Sequence, residues 1–160
     1  MPRNARIALL LEVVDQAFDH AAWHGTPLAG TLRGVTWQEA RRRPASGRHS
    51  IWEVALHTAY WKCVVRRRLT RDSGIEFPRA PANFPAMPRR PSASLWKRDI
   101  ALLKHEHRLL REAIRTFPVN RLRLRAWKSR WTNEATIYGI ASHDLYHAGQ
   151  IQLIKALIRP

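Results

Sequence analysis

His143 and His147 stand four residues apart in the stretch Ala141-Ser142-His143-Asp144-Leu145-Tyr146-His147-Ala148-Gly149-Gln150-Ile151. On an α-helix that spacing stacks two imidazoles one turn apart on one face, which is how a helix offers half of a metal site. Amphipathic helices also carry such pairs on solvated or core-edge faces, so spacing alone leaves both readings open and a third ligand must come from elsewhere. His57 can supply it. Glu53, His57, Tyr60 and Trp61 fall at i−4, i, i+3 and i+4, so a helix there sets a carboxylate one turn below the imidazole and aromatic rings one turn above. His105 and His107, two apart, diverge by about 160° and cannot share an ion.

Three neutral imidazoles leave a divalent first-row ion with open positions for water or substrate, as catalytic sites do, and zinc or nickel suits such a donor set. The ion could make a bound water or thiol a nucleophile, and a proton acceptor must then lie nearby. Glu53 is the local candidate for that catalytic role, although Ser50 and Glu53 also have the spacing of a capping box. Asp144 lies about 100° around the helix from His143 and reads as a hydrogen-bond partner behind a ligand or across to another helix. Tyr146 and Gln150, three residues from His143 and His147, join Tyr60 and Trp61 as candidate pocket residues.

Four long segments with helical period must position these groups. Residues 4–20 place Ile7, Leu10, Leu11, Val14, Ala17 and Phe18 on one face, with Asn4 as a plausible N-cap. A second helix follows the Ser50 cap to about residue 70. A third runs from Ser92 to Phe117 with the seven-residue series Leu95, Leu102, Leu109 and Leu103, Leu110, Phe117, and Pro118 stops it. Glu106 lies near its apolar face. The fourth runs from about Glu134 to Ile158, capped by Thr132 or Asn133 after a basic linker carrying Trp127 and Trp131. Short helical pieces are expected after Thr26-Pro27, with Thr26 as N-cap and Pro27 at N1, and after Thr36, which has capping-box spacing with Glu39.

Residues 71–91 hold Pro78, Pro81, Pro85, Pro88 and Pro91, too many breakers for a regular element. Phe77, Phe84 and Met87 give this long connection something to bury, and it is expected to cross over and pack on the helices. Four long helices without an alternating strand, and two long connections, predict an all-α four-helix bundle with crossovers, 1–160 as a single domain. In such bundles facing helices assemble metal sites, and His57 with His143 and His147 gives a one-plus-two arrangement.

The chain has 28 Lys and Arg against 12 Asp and Glu, a formal charge of +16, which would draw polyanions, yet no nucleic-acid motif accompanies it. A single cysteine, Cys63, excludes an internal disulfide, a CxxC pair and a cysteine-rich zinc knuckle. The apolar run Ile7–Leu11 ends at Glu12, too short for a signal-peptide core, and no apolar stretch reaches membrane-spanning length, so a cytoplasmic protein with no membrane partner is expected.

The stretch His143 to Ile151, with Ser50-Ile51-Trp52-Glu53 leading to His57 and Trp23-His24-Gly25 upstream, resembles the DinB/YfiT-like superfamily over nearly the whole chain. The resemblance implies up-down-down-up topology, a homodimer, and a divalent metal held by three histidines, here His57, His143 and His147. It also brings His24, in an adaptable turn, toward the pocket. Members include thiol transferases, a thiol-dependent isomerase and metal-dependent hydrolases, and many lack an assigned activity. The implied function is hydrolysis or thiol transfer on a small molecule, with a low-molecular-weight thiol as a potential partner. The rival reading is a non-catalytic binding module with a vestigial or structural metal site, holding an anionic ligand or nucleic acid on its basic surface.

Overall fold

The computed structural model describes residues 5–159, so the Asn4 cap lies outside the described residues. The helices follow the apolar periodicity. In α1 (Ala5–Phe18) all six residues of the expected face are buried. A short α2 (Leu28–Thr31) comes next, and its N-cap is Pro27, not Thr26. Pro27 is extended, with ψ 169°, and its carbonyl accepts from the Thr31 N–H at 3.1 Å, so the helix begins one residue later than expected. Thr26 instead lays its methyl over Gly30, where a Cβ would come within 2.8 Å of it.

Capping boxes open α3 (Trp37–Arg41) through Thr36 and Glu39, and α4 (Ile51–Thr70) through Ser50 and Glu53. Each satisfies two backbone donors that a helix start otherwise leaves without partners. Ser92 caps α5 (Ala93–Arg115) and Thr132 caps α6 (Asn133–Ile158). Asn133 serves differently, because its amide donates to the carbonyls of Arg121 and Leu124 and so ties α6 to the preceding linker. That linker contains a 3-10 turn at Val119–Arg121 and closes through an antiparallel bridge between Arg125 and Thr132. Among the described residues there is no β-strand.

The fold is all-α. Helix α4 packs against α5 and α6, and α1 packs against the same two, so each long helix meets two of the other three. The short helices close one end, α2 on α6 and α3 on α4. On α5 Leu103 and Leu110 are buried as the seam, while Leu95, Leu102 and Leu109 flank it half-buried; the helix ends at Arg115 with Thr116 as C-cap, so Phe117, also buried, follows it and does not continue it.

The interior has two apolar clusters. One gathers Trp52, Leu56, Leu103, Ile151 and Ile154 with α2 and α3; the other gathers Leu10, Val14, Leu69, Leu110 and Ile137. Between them every long helix contributes polar groups: Asp15 from α1, His57 and Lys62 from α4, Glu106 and His107 from α5, and Asp144 and His147 from α6, all buried. Burying such groups is unfavourable unless they are paired. Lys62 and Asp144 form an ion pair with side chains 0% and 1% exposed, Arg66 pairs with Glu106 at 2.9 Å, and Arg111 pairs with Asp15 at 2.7 Å. Glu106 therefore does reach the interior. Asp144 makes its bond across to α4, the interhelical alternative, and its Oδ1 has no partner.

Residues 71–91 form no regular element and pack on the helices through Phe77 and Met87, which lie against the first cluster.

Candidate metal centre

Helix α6 brings His143 and His147 to one face, and the α4–α6 crossing brings His57 to meet them. The His143 Nε2 lies 3.0 Å from that of His57 and 3.1 Å from that of His147. Two of the rings have their far nitrogens committed. His57 Nδ1 donates to the backbone carbonyl of Asn83 at 2.6 Å, and His147 Nδ1 to Gln150 Oε1 at 2.7 Å. Each bond fixes the proton on Nδ1 and leaves the Nε2 lone pair bare. His143 Nδ1 is buried without a partner. A single proton at its Nε2 could satisfy only one neighbour at a time, so lone pairs converge on a point where a cation would relieve them.

The rings are also held neutral. Burial pushes His57 down to about 4, assisted by His147 and His49 and opposed by the Asn83 carbonyl. Burial lowers His143 to about 3, with His147, His57 and Lys62 adding to it. His147 is lowered by burial, against the bond to Gln150. Neutral imidazole is the ligating form, so no proton needs to be displaced near neutral pH.

The supporting shell comes largely from the proline-rich connection. Asn83 has φ 70°, a left-handed conformation that asparagine tolerates better than most residues. It bonds with both ends, its carbonyl to His57 and its Oδ1 to the Trp61 indole N–H at 2.9 Å. Phe84 lies flat on His57, ring centres 3.9 Å apart, with its other face on His49 at 3.8 Å. Sequence reading assigned Phe84 only to packing and missed Asn83. An asparagine able to take positive φ, next to a lone aromatic in a proline-rich segment, was the available signal.

The other expected residues divide. Trp61, Tyr146 and Gln150 line the roughly 480 Å3 cavity over the histidines, with Tyr146 71% exposed at its mouth. Tyr60 does not: its ring meets Phe77 and the edge of Trp61, because that position on α4 turns toward the crossover. His24 is exposed in its turn beside a fully exposed Trp23 and does not line this cavity, since α2 and α3 close a different part of the fold. Glu53 is buried one turn before His57, but its oxygens accept from Ser50 N–H and Oγ and from Arg43, and it does not line the cavity either. Cys63 is buried, and desolvation raises its thiol to about 11, unlike a reactive nucleophile.

No described helix is long and apolar enough to cross a membrane. The family model described as the DinB superfamily matches residues 13–151. No curated protein and no solved structure matches the chain.

Proposed function

Because the chain belongs to the DinB superfamily, we propose that it is a metal-dependent enzyme in which His57, His143 and His147 hold a divalent transition ion, zinc or nickel, for hydrolysis or thiol transfer on a small molecule. The observation that carries this reading is the convergence of three Nε2 atoms with two Nδ1 protons fixed outward. Such an ion would supply Lewis acidity, drawing a water or a thiol toward its nucleophilic form near neutral pH. The up-down-down-up bundle belongs to the same proposal, supported by family membership and by the way each long helix meets two others.

The chain's own residues have definable parts. Gln150 and the Asn83 carbonyl keep His147 and His57 in the ligating tautomer and hold their rings in place. Phe84 and Trp61 wall one side of the centre against water. Tyr146 places a phenol at the mouth, where it can meet an entering substrate. Glu53 acts through α4: by capping its start it fixes the turn that presents His57, and a proton acceptor is more readily supplied by substrate or solvent at the open mouth.

Elemental analysis of protein purified without a histidine tag tests this. About one zinc or nickel ion per chain is expected, and His143→Ala, which leaves only two converging nitrogens, should lose it. Full metal retention in that variant, or metal-free native protein that takes up no ion on titration, would overturn the assignment.

A further inference from the structure

A second cavity, of about 630 Å3, opens on the other side of Trp61. Trp61 and His143 line both it and the cavity over the histidines, so the two cavities adjoin at the His143 ring. Its walls are mainly apolar, formed by Trp61, Val65, Trp131 and Ile140, and its volume is that of a small-molecule site.

Three cations stand at its edge: Arg68 from α4, and Lys128 and Arg130 from the linker before α6. No carboxylate lines the cavity, and none of the three is in an ion pair among the described residues. Arg68 and Arg130 rest instead over the indoles of Trp61 and Trp131, 5.9 and 4.9 Å from the ring centres. Burial and the neighbouring Arg67 already oppose the charge on Arg68. An anion arriving there would gain charge-assisted bonds without displacing a protein carboxylate.

The floor is α6, where Ala135, Gly139 and His143 follow at successive i+4 positions. Glycine is disfavoured inside a helix, and close packing does not explain this one: a Cβ on Gly139 would meet nothing within 4 Å. What the missing side chain leaves is room in the cavity beside His143.

We propose that this cavity is the substrate subsite of the histidine centre and takes small molecules with an apolar body and one anionic group, carboxylate or phosphate, held by Arg68, Lys128 and Arg130. The word substrate rests on the metal-enzyme reading; the anion site does not.

The test is calorimetric titration of the full chain, chelated and metal-replete, with 2-naphthoate, 2-naphthyl phosphate and neutral 2-naphthamide. At least one anion should bind the chelated chain roughly tenfold or more tighter than the amide, a difference of about 1.4 kcal/mol. The tighter anion identifies the headgroup. Arg68→Gln and Arg130→Gln should each weaken it about three- to tenfold, the range of a charge-assisted contact at a half-exposed site. Gly139→Leu should abolish binding with thermal stability kept or raised, since leucine is the better helix former. Equal binding of anions and amide, or unchanged affinity in Gly139→Leu, overturns the subsite. So does anion binding that needs the metal and ignores both arginines. If native protein holds no metal and takes up none on titration, but the charge and Gly139 effects persist, the anion site stands and the metal-enzyme reading falls.

Discussion

Lys62 and Asp144 cross from α4 to α6 beside the histidines, at 0% and 1% side-chain exposure. Removing one partner strands the other. In Lys62→Met the Asp144 carboxylate keeps no cation, and its Oδ1 already lacks a partner; Lys62 also leaves the face of Phe18, 4.7 Å away. A stranded buried charge costs about 3–5 kcal/mol, a large part of the roughly 5–15 kcal/mol that holds a domain folded. At about 2–4 °C per kcal/mol for a chain of this size, the melting temperature should fall by roughly 6–20 °C. Asp144→Val, stranding the ammonium, should lose a comparable amount. The double variant Lys62→Met/Asp144→Val leaves two apolar groups between the two apolar clusters, and it should recover most of the loss. Urea unfolding of the chelated protein provides the four corners of the cycle, with chelation removing any contribution of metal binding to stability. If the double variant loses the sum of the two singles, the residues are not a coupled desolvated pair and the account of the polar layer is wrong.

Acid should destabilise the chelated protein through His107, which stacks on Phe18 at 3.7 Å and is lowered to about 2 by burial, with Lys62 and Arg111 adding to it. Its folded value lies below the ordinary 6.5, so the unfolded chain takes up a proton first, and stability falls as pH drops below 6.5. By pH 5 the loss from this residue is about 2 kcal/mol; urea curves at pH 7 and 5 should show it, and His107→Leu should reduce the difference by that amount. Gln150→Leu frees the His147 Nδ1 and should weaken metal binding about 10- to 100-fold with the fold retained, read by competition with a chromophoric chelator. At Asn83, the left-handed φ of 70° means that Ala costs about 1–2 kcal/mol where Gly does not. Asn83→Ala should therefore lose more metal affinity than Asn83→Gly, and equal losses would show that the indole bond to Oδ1, not the carbonyl geometry, matters.

Much of this was readable along the chain. The i, i+3, i+4 recurrence in α1, the two capping boxes and the Ser92 cap are local, decided by 3.6 residues per turn and by orphan N–H groups within three residues of a side-chain oxygen. Local rules failed where two local solutions were near-equal. Thr26 could have capped α2, yet the chain starts that helix at Leu28 with Pro27 as its N-cap; Asn133 could have capped α6, yet its amide bonds two linker carbonyls instead.

The site divides in the same way. That His143 and His147 share a face is a property of any helix carrying them, so the sequence alone determines it. The pocket roles separate by direction around α4: Trp61 reaches Asn83 and the histidines while adjacent Tyr60, about 100° around the helix, turns to Phe77. Glu53 and His24 looked available because sequence spacing records proximity along one helix or turn and not which groups from elsewhere reach them; Arg43 engages the one, and the other stays in solvent. His57 meeting its partners, Asn83 curling back to fix its tautomer, and a cation-rimmed cavity beyond Trp61 all join residues 22 or more positions apart. Those meetings depend on how the long helices pack about the two apolar clusters and on where the proline-rich connection comes to rest, energies summed over the whole interior, and only the tertiary structure decided them.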